Sequence, residues 1–205
     1  MLATTTLGRK TGLRVPRLCL GTMNFGEPGR GHQGDWTLGI DDARPIFQAA
    51  IEAGLFYFDT ADIYGVGACE EVVGQLLREL LPREEYVINT KIGMPMGRGA
   101  NQGGLSRKHV IEGIDSSLRR LGLDYVDQLI IHRHPHGIRG AASTPIEETL
   151  EALNDVVKAG KALHIGASSM FAWQFAELQL TARINGWTEF ISMPVSYTHL
   201  RAHET

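Results

Sequence analysis

The stretch Leu55-Phe56-Tyr57-Phe58-Asp59-Thr60-Ala61-Asp62-Ile63-Tyr64-Gly65 breaks an apolar run with an acid and ends on a tyrosine before a glycine. Leu55 to Phe58 is short, rich in aromatics and preceded by Gly54, the pattern of a buried strand. Asp59 then falls at the strand's carboxyl end. In parallel α/β sheets and barrels that end is where sites are built. An acid and a phenol offered by one strand end and its loop form a candidate acid/base pair.

Outward from this stretch, strand and helix patterns alternate about every thirty residues. Toward the N-terminus, Thr4–Leu7 and Leu13–Val15 flank a Gly-containing turn and read as a hairpin, and Leu18-Cys19-Leu20-Gly21 reads as a short strand. A Gly-rich loop runs from Thr22 to Gly39. Asp41-Asp42 with Pro45 in the first turn marks the start of a helix that Gly54 closes. Toward the C-terminus, Val72 to Leu80 is helical and stops at Pro82, and Tyr86–Thr90 is a strand ending at Lys91. Ser106 caps a helix closed by Gly122, and Val126–Ile131 is a strand ending at His132. Thr144-Pro145-Ile146-Glu147 reads as a capping box with proline at the first helical position. Ala162–Ile165 is a strand ending at Gly166-Ala167-Ser168-Ser169; a helix follows from about Met170 to Ile184, and Phe190–Met193 is a last strand.

The class is therefore α/β with parallel strands and crossover helices, in one domain without linker composition or solenoid repeat. An open doubly wound sheet and a closed barrel both fit the alternation. The open sheet usually carries a G-x-G-x-x-G turn or a P-loop, and neither spacing occurs here. The chain has 205 residues and a net charge of −3, so bulk charge does not point to nucleic acid or to a membrane surface. Cys19 and Cys69 fit no metal or disulfide spacing, which suits a reducing compartment. The N-terminal residues lack the charged flank and apolar core of a signal peptide, and no window approaches a membrane span, leaving the cytoplasm as the default location.

Four residues that titrate fall at or just past three consecutive strand ends: Asp59, Tyr64, Lys91 and His132. Each alone has an ordinary explanation. An acid can cap a turn, a tyrosine can pack on a loop, a lysine is usually solvated, and a histidine can be satisfied by a polar loop. In a parallel barrel all strand ends face one mouth, so the four together carry the signal. A phenol that titrates near 10 is a proton donor at neutral pH. An adjacent lysine should favour the phenolate and lower that value, and an acid should keep the lysine charged. A neutral imidazole can donate a hydrogen bond to a carbonyl. The set suits protonation of an oxygen while hydride from a nicotinamide attacks the carbon.

Several segments resemble the aldo-keto reductases. Phe58 to Gly65 resembles the first signature of that family, Thr90-Lys91 its lysine strand, Leu129 to Arg133 its histidine strand, and Ile165 to Ser169 its serine-asparagine segment, with Ser169 where asparagine is commoner. Leu20 to Met23 is similar to the first barrel strand, and Arg119 to Asp127 also matches. The resemblance implies a (β/α)8 TIM barrel that binds NADPH without a Rossmann motif. It implies Tyr64 as general acid, Lys91 and Asp59 tuning it, and His132 orienting the carbonyl of a small-molecule substrate. It further implies that Gly21, Thr22, Met23 and Asp59 line the nicotinamide, with Ser168 at its carboxamide and Ser169 also among the cofactor-binding residues. Only six barrel strands are legible here, whereas a full barrel has eight and runs to about 250 residues. Pro194 stands where the family usually carries a glutamine. Residues 1–193 are thus expected to form the N-terminal portion of the barrel and 194–205 a non-native tail, with little or no activity in the chain as it stands. Two other readings are a metal-dependent barrel hydrolase using the His132/His134 pair and a non-catalytic barrel remnant.

Overall fold

The computed structural model describes residues 2–31 and 34–194. The expected tail, 194–205, lies outside the described residues except for Pro194. A hairpin of β1 (Thr4–Thr6) and β2 (Arg14–Pro16) comes first, with Thr5 opposite Val15. Six parallel strands follow in sequence order: β3 (Leu20–Gly21), β4 (Tyr57–Asp59), β5 (Val87–Ile92), β6 (Val126–Ile131), β7 (Ala162–Ala167) and β8 (Phe190–Ser192). Helices α1 (Ile40–Glu52), α2 (Ala68–Leu80), α3 (Arg107–Leu121), α4 (Ile146–Lys158) and α5 (Ala172–Ile184) link them. This is the strand–helix alternation of a (β/α) barrel, incomplete among the described residues, where β3 and β8 are the sheet's two edges.

The core lies between sheet and helices. Period-two alternation sends Phe58 and Ile88, and in the longer strands Leu129, Ile131 and Ile165, toward the helices, and all are buried. Phe58 stacks on Phe47 of α1 with 5.5 Å between ring centroids, and Phe47 meets Phe25 edge-on at 5.3 Å. The same alternation puts Tyr57 and Asp59, Asn89 and Lys91, and Gln128 and Ile130 on the opposite face. This alternation gathers polar groups inside the curve of the sheet.

Two local expectations are corrected. Pro45 lies in the second turn of α1, because the helix begins at Ile40 with Gly39 as its N-cap. The Thr144 capping box does not form. Pro145 is the N-cap residue of α4 and no side chain caps it, while Thr144 is buried. The carboxylate of Glu148 instead accepts a 2.8 Å hydrogen bond from the backbone N–H of Arg107, tying α4 to the start of α3. Ser106 does cap α3 as its position suggests, accepting from the His109 N–H at 3.3 Å, and Gly122 closes the helix at φ 67°.

Candidate active site

Asp59 is the last residue of β4, and the chain beyond it keeps climbing along β5. Thr60 N–H donates to the Asn89 carbonyl at 3.1 Å and Asp62 N–H to the Lys91 carbonyl at 3.0 Å. This extension of the ladder carries Tyr64 to a position beside Lys91. The direction then reverses through three left-handed residues, Gly65 (φ 57°), Val66 (φ 50°) and Gly67 (φ 92°). Glycine adopts this conformation freely, but a β-branched valine does so only when its surroundings hold it. The Val66 carbonyl accepts a 3.1 Å hydrogen bond from Arg30, which is also paired with Glu71 at 2.9 Å.

Lys91 is the hub. It is only 4% exposed, and its Nζ donates to Asp59 Oδ2 at 2.6 Å, to the Thr60 carbonyl at 2.9 Å and to the Tyr64 hydroxyl at 3.3 Å. Burial acts to lower its pKa, but the Asp59 carboxylate and the Tyr64 phenol, with their hydrogen bonds, outweigh burial and hold it above the ordinary lysine value. His132 follows β6, its N–H donating to the Ile92 carbonyl at 2.9 Å, and its ring meets Tyr64 edge to face at 5.9 Å. Burial first, then the positive charges of Lys91 and Arg133, push the His132 imidazole down to about 3, so it is neutral at ordinary pH. The structure thus brings Asp59, Tyr64, Lys91 and His132 together.

The titration of Tyr64 departs from the sequence expectation. Burial raises its pKa, and the opposing pull of Lys91 is too weak to bring the net value below 10, the more so because Asp59 pushes upward too. The phenol therefore keeps its proton at neutral pH more firmly than a free tyrosine.

Gly21 presents open space where a side chain would stand, with nothing within 4 Å of a Cβ placed there. Such a surface admits a flat ring. Asp59 Oδ1 is buried beside it on the ladder, with no hydrogen-bond partner among the described residues. Met23 is half exposed, at 47%. Thr22 is fully buried, and its hydroxyl donates to the Asp59 carbonyl at 3.0 Å and lies 3.3 Å from Cys69 Sγ, which leaves its side chain no free donor toward the mouth. Ser168 and Ser169 follow β7 with their hydroxyls 3.1 Å apart, and Ser169 has φ 49°. Asparagine tolerates that left-handed backbone better than serine does.

His134 lies two residues past His132, but its Nδ1 accepts from the His136 N–H at 3.3 Å and its ring packs against His136 and Trp173. No group of three or more His, Cys, Asp or Glu side chains able to hold a metal occurs among the described residues. No helix among the described residues is long and apolar enough to cross a membrane.

Behind the site, on the helix side of β5, lies a charged group to which the sequence reading assigned no role. Glu70, fully buried at the start of α2, accepts from Thr90 Oγ1 at 2.5 Å and from Arg120 Nε at 2.6 Å. Asp62, 1% exposed, has both carboxylate oxygens without a hydrogen-bond partner among the described residues, and burial followed by the charge of Glu70 raises its pKa well above the usual range. Glu70 and Glu71 stand just before the helix that the sequence predicts from Val72, where acids read as surface charges favourable to a helix start; the structure begins that helix at Ala68 and takes both into its first turn. Nothing in their spacing marks one as buried.

The family model described as "Aldo/keto reductase family" matches residues 17–205. Versiconal hemiacetal acetate reductase of Aspergillus parasiticus is 42% identical, over 95% of this chain and 59% of that protein. A putative aryl-alcohol dehydrogenase of Schizosaccharomyces pombe is 41% identical, over 89% of this chain and 56% of that protein. The chain therefore spans somewhat more than half the length of these relatives. A thermostable aldo-keto reductase, solved with the inhibitor epalrestat, superposes with a TM-score of 0.75 at 28% identity, over 96% of this chain and 63% of that one. By its sequence match and by its fold, the chain belongs to the aldo/keto reductase family.

Proposed function

We propose that the whole protein reduces an aldehyde or ketone to an alcohol with NADPH, and that Tyr64 is the proton donor. The observation that carries this is the single ammonium of Lys91 bonded at once to the Asp59 carboxylate and the Tyr64 phenol, with a neutral His132 ring against that phenol. A nicotinamide, when bound, supplies the hydride that the carbonyl carbon takes. Gly21, Met23, Asp59, Ser168 and Ser169, with the backbone of Thr22, are the residues that would hold it, and the open face at Gly21 fits a planar ring. NADPH is favoured over NADH on family resemblance. The names of two relatives, a reductase and an aryl-alcohol dehydrogenase, fit the reading.

The roles of this chain's residues follow from their surroundings. The Tyr64 phenol, protonated at neutral pH, gives its proton to the carbonyl oxygen as negative charge develops there. Lys91 stabilises the phenolate left behind, and Asp59 keeps Lys91 charged and aimed. His132, neutral, offers a hydrogen bond that orients the carbonyl without adding charge. In water each of these contacts would be weak; in a mostly buried cluster they act at short range with little screening.

The test is Tyr64→Phe in the whole protein. Turnover of a panel of aldehydes, followed by NADPH oxidation, should fall by about a hundredfold or more, the usual contribution of a positioned acid. NADPH affinity, followed by fluorescence quenching alongside NADH, should change little, because the ring remains. Undiminished turnover would overturn the role of Tyr64, and tighter binding of NADH would overturn the cofactor assignment.

A further inference from the structure

The phenol–ammonium contact of the site, 3.3 Å, is long for a hydrogen bond and joins two separate elements: β5, which carries Lys91, and the turn after β4, which carries Tyr64. The ladder past β4 ties the chain to β5 only as far as Asp62, so the turn beyond it, which carries Tyr64, needs a support of its own. Thr90, the neighbour of Lys91, points to the helix side and donates to Glu70 at 2.5 Å. Glu70 in turn accepts from Arg120 of α3 at 2.6 Å. The Arg120 side chain lies directly beneath the left-handed turn: a Cβ at Gly67 would stand 2.5 Å from Arg120 Cδ and 2.7 Å from Nε. A second bond, 3.3 Å from Arg120 Nη2 to Ser117, sets the plane of the guanidinium.

We propose that Glu70 and Arg120 are positioning residues for the Tyr64 phenol: through Thr90 they fix the strand of Lys91, and through the contact under Gly67 they fix the turn of Tyr64. The pair touches neither substrate nor cofactor. It binds two elements to one rigid point, so the distance between phenol and ammonium is set from behind. The turn needs such support, because Val66 at φ 50° stores strain that would otherwise relax by moving Tyr64. One arginine here faces two buried acids. Asp62, its pKa raised, can stay uncharged, leaving Arg120 to Glu70 alone.

The proposal rests on the reading of Tyr64 as proton donor, but its test does not require turnover. The phenol's alkaline titration is followed by NMR of ¹³Cζ-labelled tyrosine in the intact chain and assigned by its loss in Tyr64→Phe. The charged or titratable groups facing the phenol are Lys91 from β5, Asp59 from β4, His132 after β6 and Cys69 from α2, and none is altered. Three variants are compared: Glu70→Gln, Arg120→Lys and Gly67→Ala. Glu70→Gln removes a negative charge, so charge alone would ease ionisation of the phenol. If the pair acts by position, Lys91 drifts away and the midpoint rises instead, by about one pH unit. Arg120→Lys keeps the charge but cannot hold Glu70 and Ser117 in one plane, and Gly67→Ala drives the turn off Arg120; both should raise the midpoint as well.

Where turnover is measurable, kcat should fall about tenfold or more with KM little changed, as for loss of an interaction made only in the transition state. An unchanged or lowered midpoint in variants that remain folded by near-ultraviolet circular dichroism would overturn the proposal. So would failure of all three to fold, since the pair would then hold the fold and not the phenol. If Tyr64→Phe leaves turnover intact while the midpoints still rise, the donor assignment falls and the positioning stands.

Discussion

Lys91 and Asp59 form an ion pair of 2.6 Å whose two ends differ in their access to water: the lysine side chain is 5% exposed and the aspartate side chain 24%. This asymmetry decides which half of the pair can be lost. Asp59→Asn strands an ammonium in the interior, with the Thr60 carbonyl and the Tyr64 hydroxyl as its remaining partners. Lys91→Met fills the same space with an apolar chain and leaves a carboxylate that water can still reach. Removing one partner of a buried pair costs about 3–5 kcal/mol, and partial solvation lowers that figure. Asp59→Asn should therefore destabilise more than Lys91→Met in urea unfolding. The reverse order would mean that Lys91 is better solvated than its burial indicates.

His132 makes stability depend on pH. Its folded value, about 3, lies below the ordinary 6.5. Between those values the unfolded chain binds the proton and the folded chain does not, so stability is lost as pH falls from 6.5 toward 3 and is complete above 6.5. The contribution is on the order of a few kcal/mol. His109, His134 and His164, also lowered by burial, act in the same direction. Urea midpoints at pH 8 and pH 5 should therefore differ less for His132→Gln than for the unmodified chain, and equal differences would refute the burial of that ring.

Asp62 acts with the opposite sign. Its folded pKa is raised, so the stability it brings is present below about 4, the unfolded value, and is lost as pH rises through the folded value. Asp62→Asn removes that loss. The variant should gain on the unmodified chain as pH goes from 4 to 8, measured by thermal unfolding. A difference independent of pH would show that Asp62 is ionised in both states.

Gly74 sets the approach of α2 to α3. Alanine is favoured over glycine in a helix by about 1 kcal/mol, which by itself predicts a gain for Gly74→Ala. A Cβ there would stand 2.3 Å from the Leu121 carbonyl oxygen and 2.5 Å from Leu121 Cα. Backbone cannot swing aside as a side chain can, so the helices must part, and overpacking of this kind costs about 1–3 kcal/mol or more. The clash should win, giving a lower melting temperature. An increase would show that α2 and α3 slide easily.

The order of strands and helices was legible in the sequence because each strand is a short apolar run ended by glycine or a polar residue, and each helix carries its apolar residues at helical spacing. The strand-end positions of Asp59, Lys91 and His132 followed directly from that order. Tyr64 required the motif around it, since its place depends on a ladder that continues past the strand and then reverses through Gly65, Val66 and Gly67. Periodicity records which side of a sheet a residue takes; it does not record how much water remains around it. Only the tertiary structure therefore decided that burial outweighs Lys91 at the Tyr64 phenol, that His132 is held neutral, and that Thr22 turns its hydroxyl away from the mouth. The same holds for Glu70 and Arg120, which are fifty residues apart. In sequence they are a helix-start acid and a helix-end base, each favourable to its own helix dipole. That they meet behind Lys91 follows from the packing of α2 against α3, where Gly74 allows the close approach.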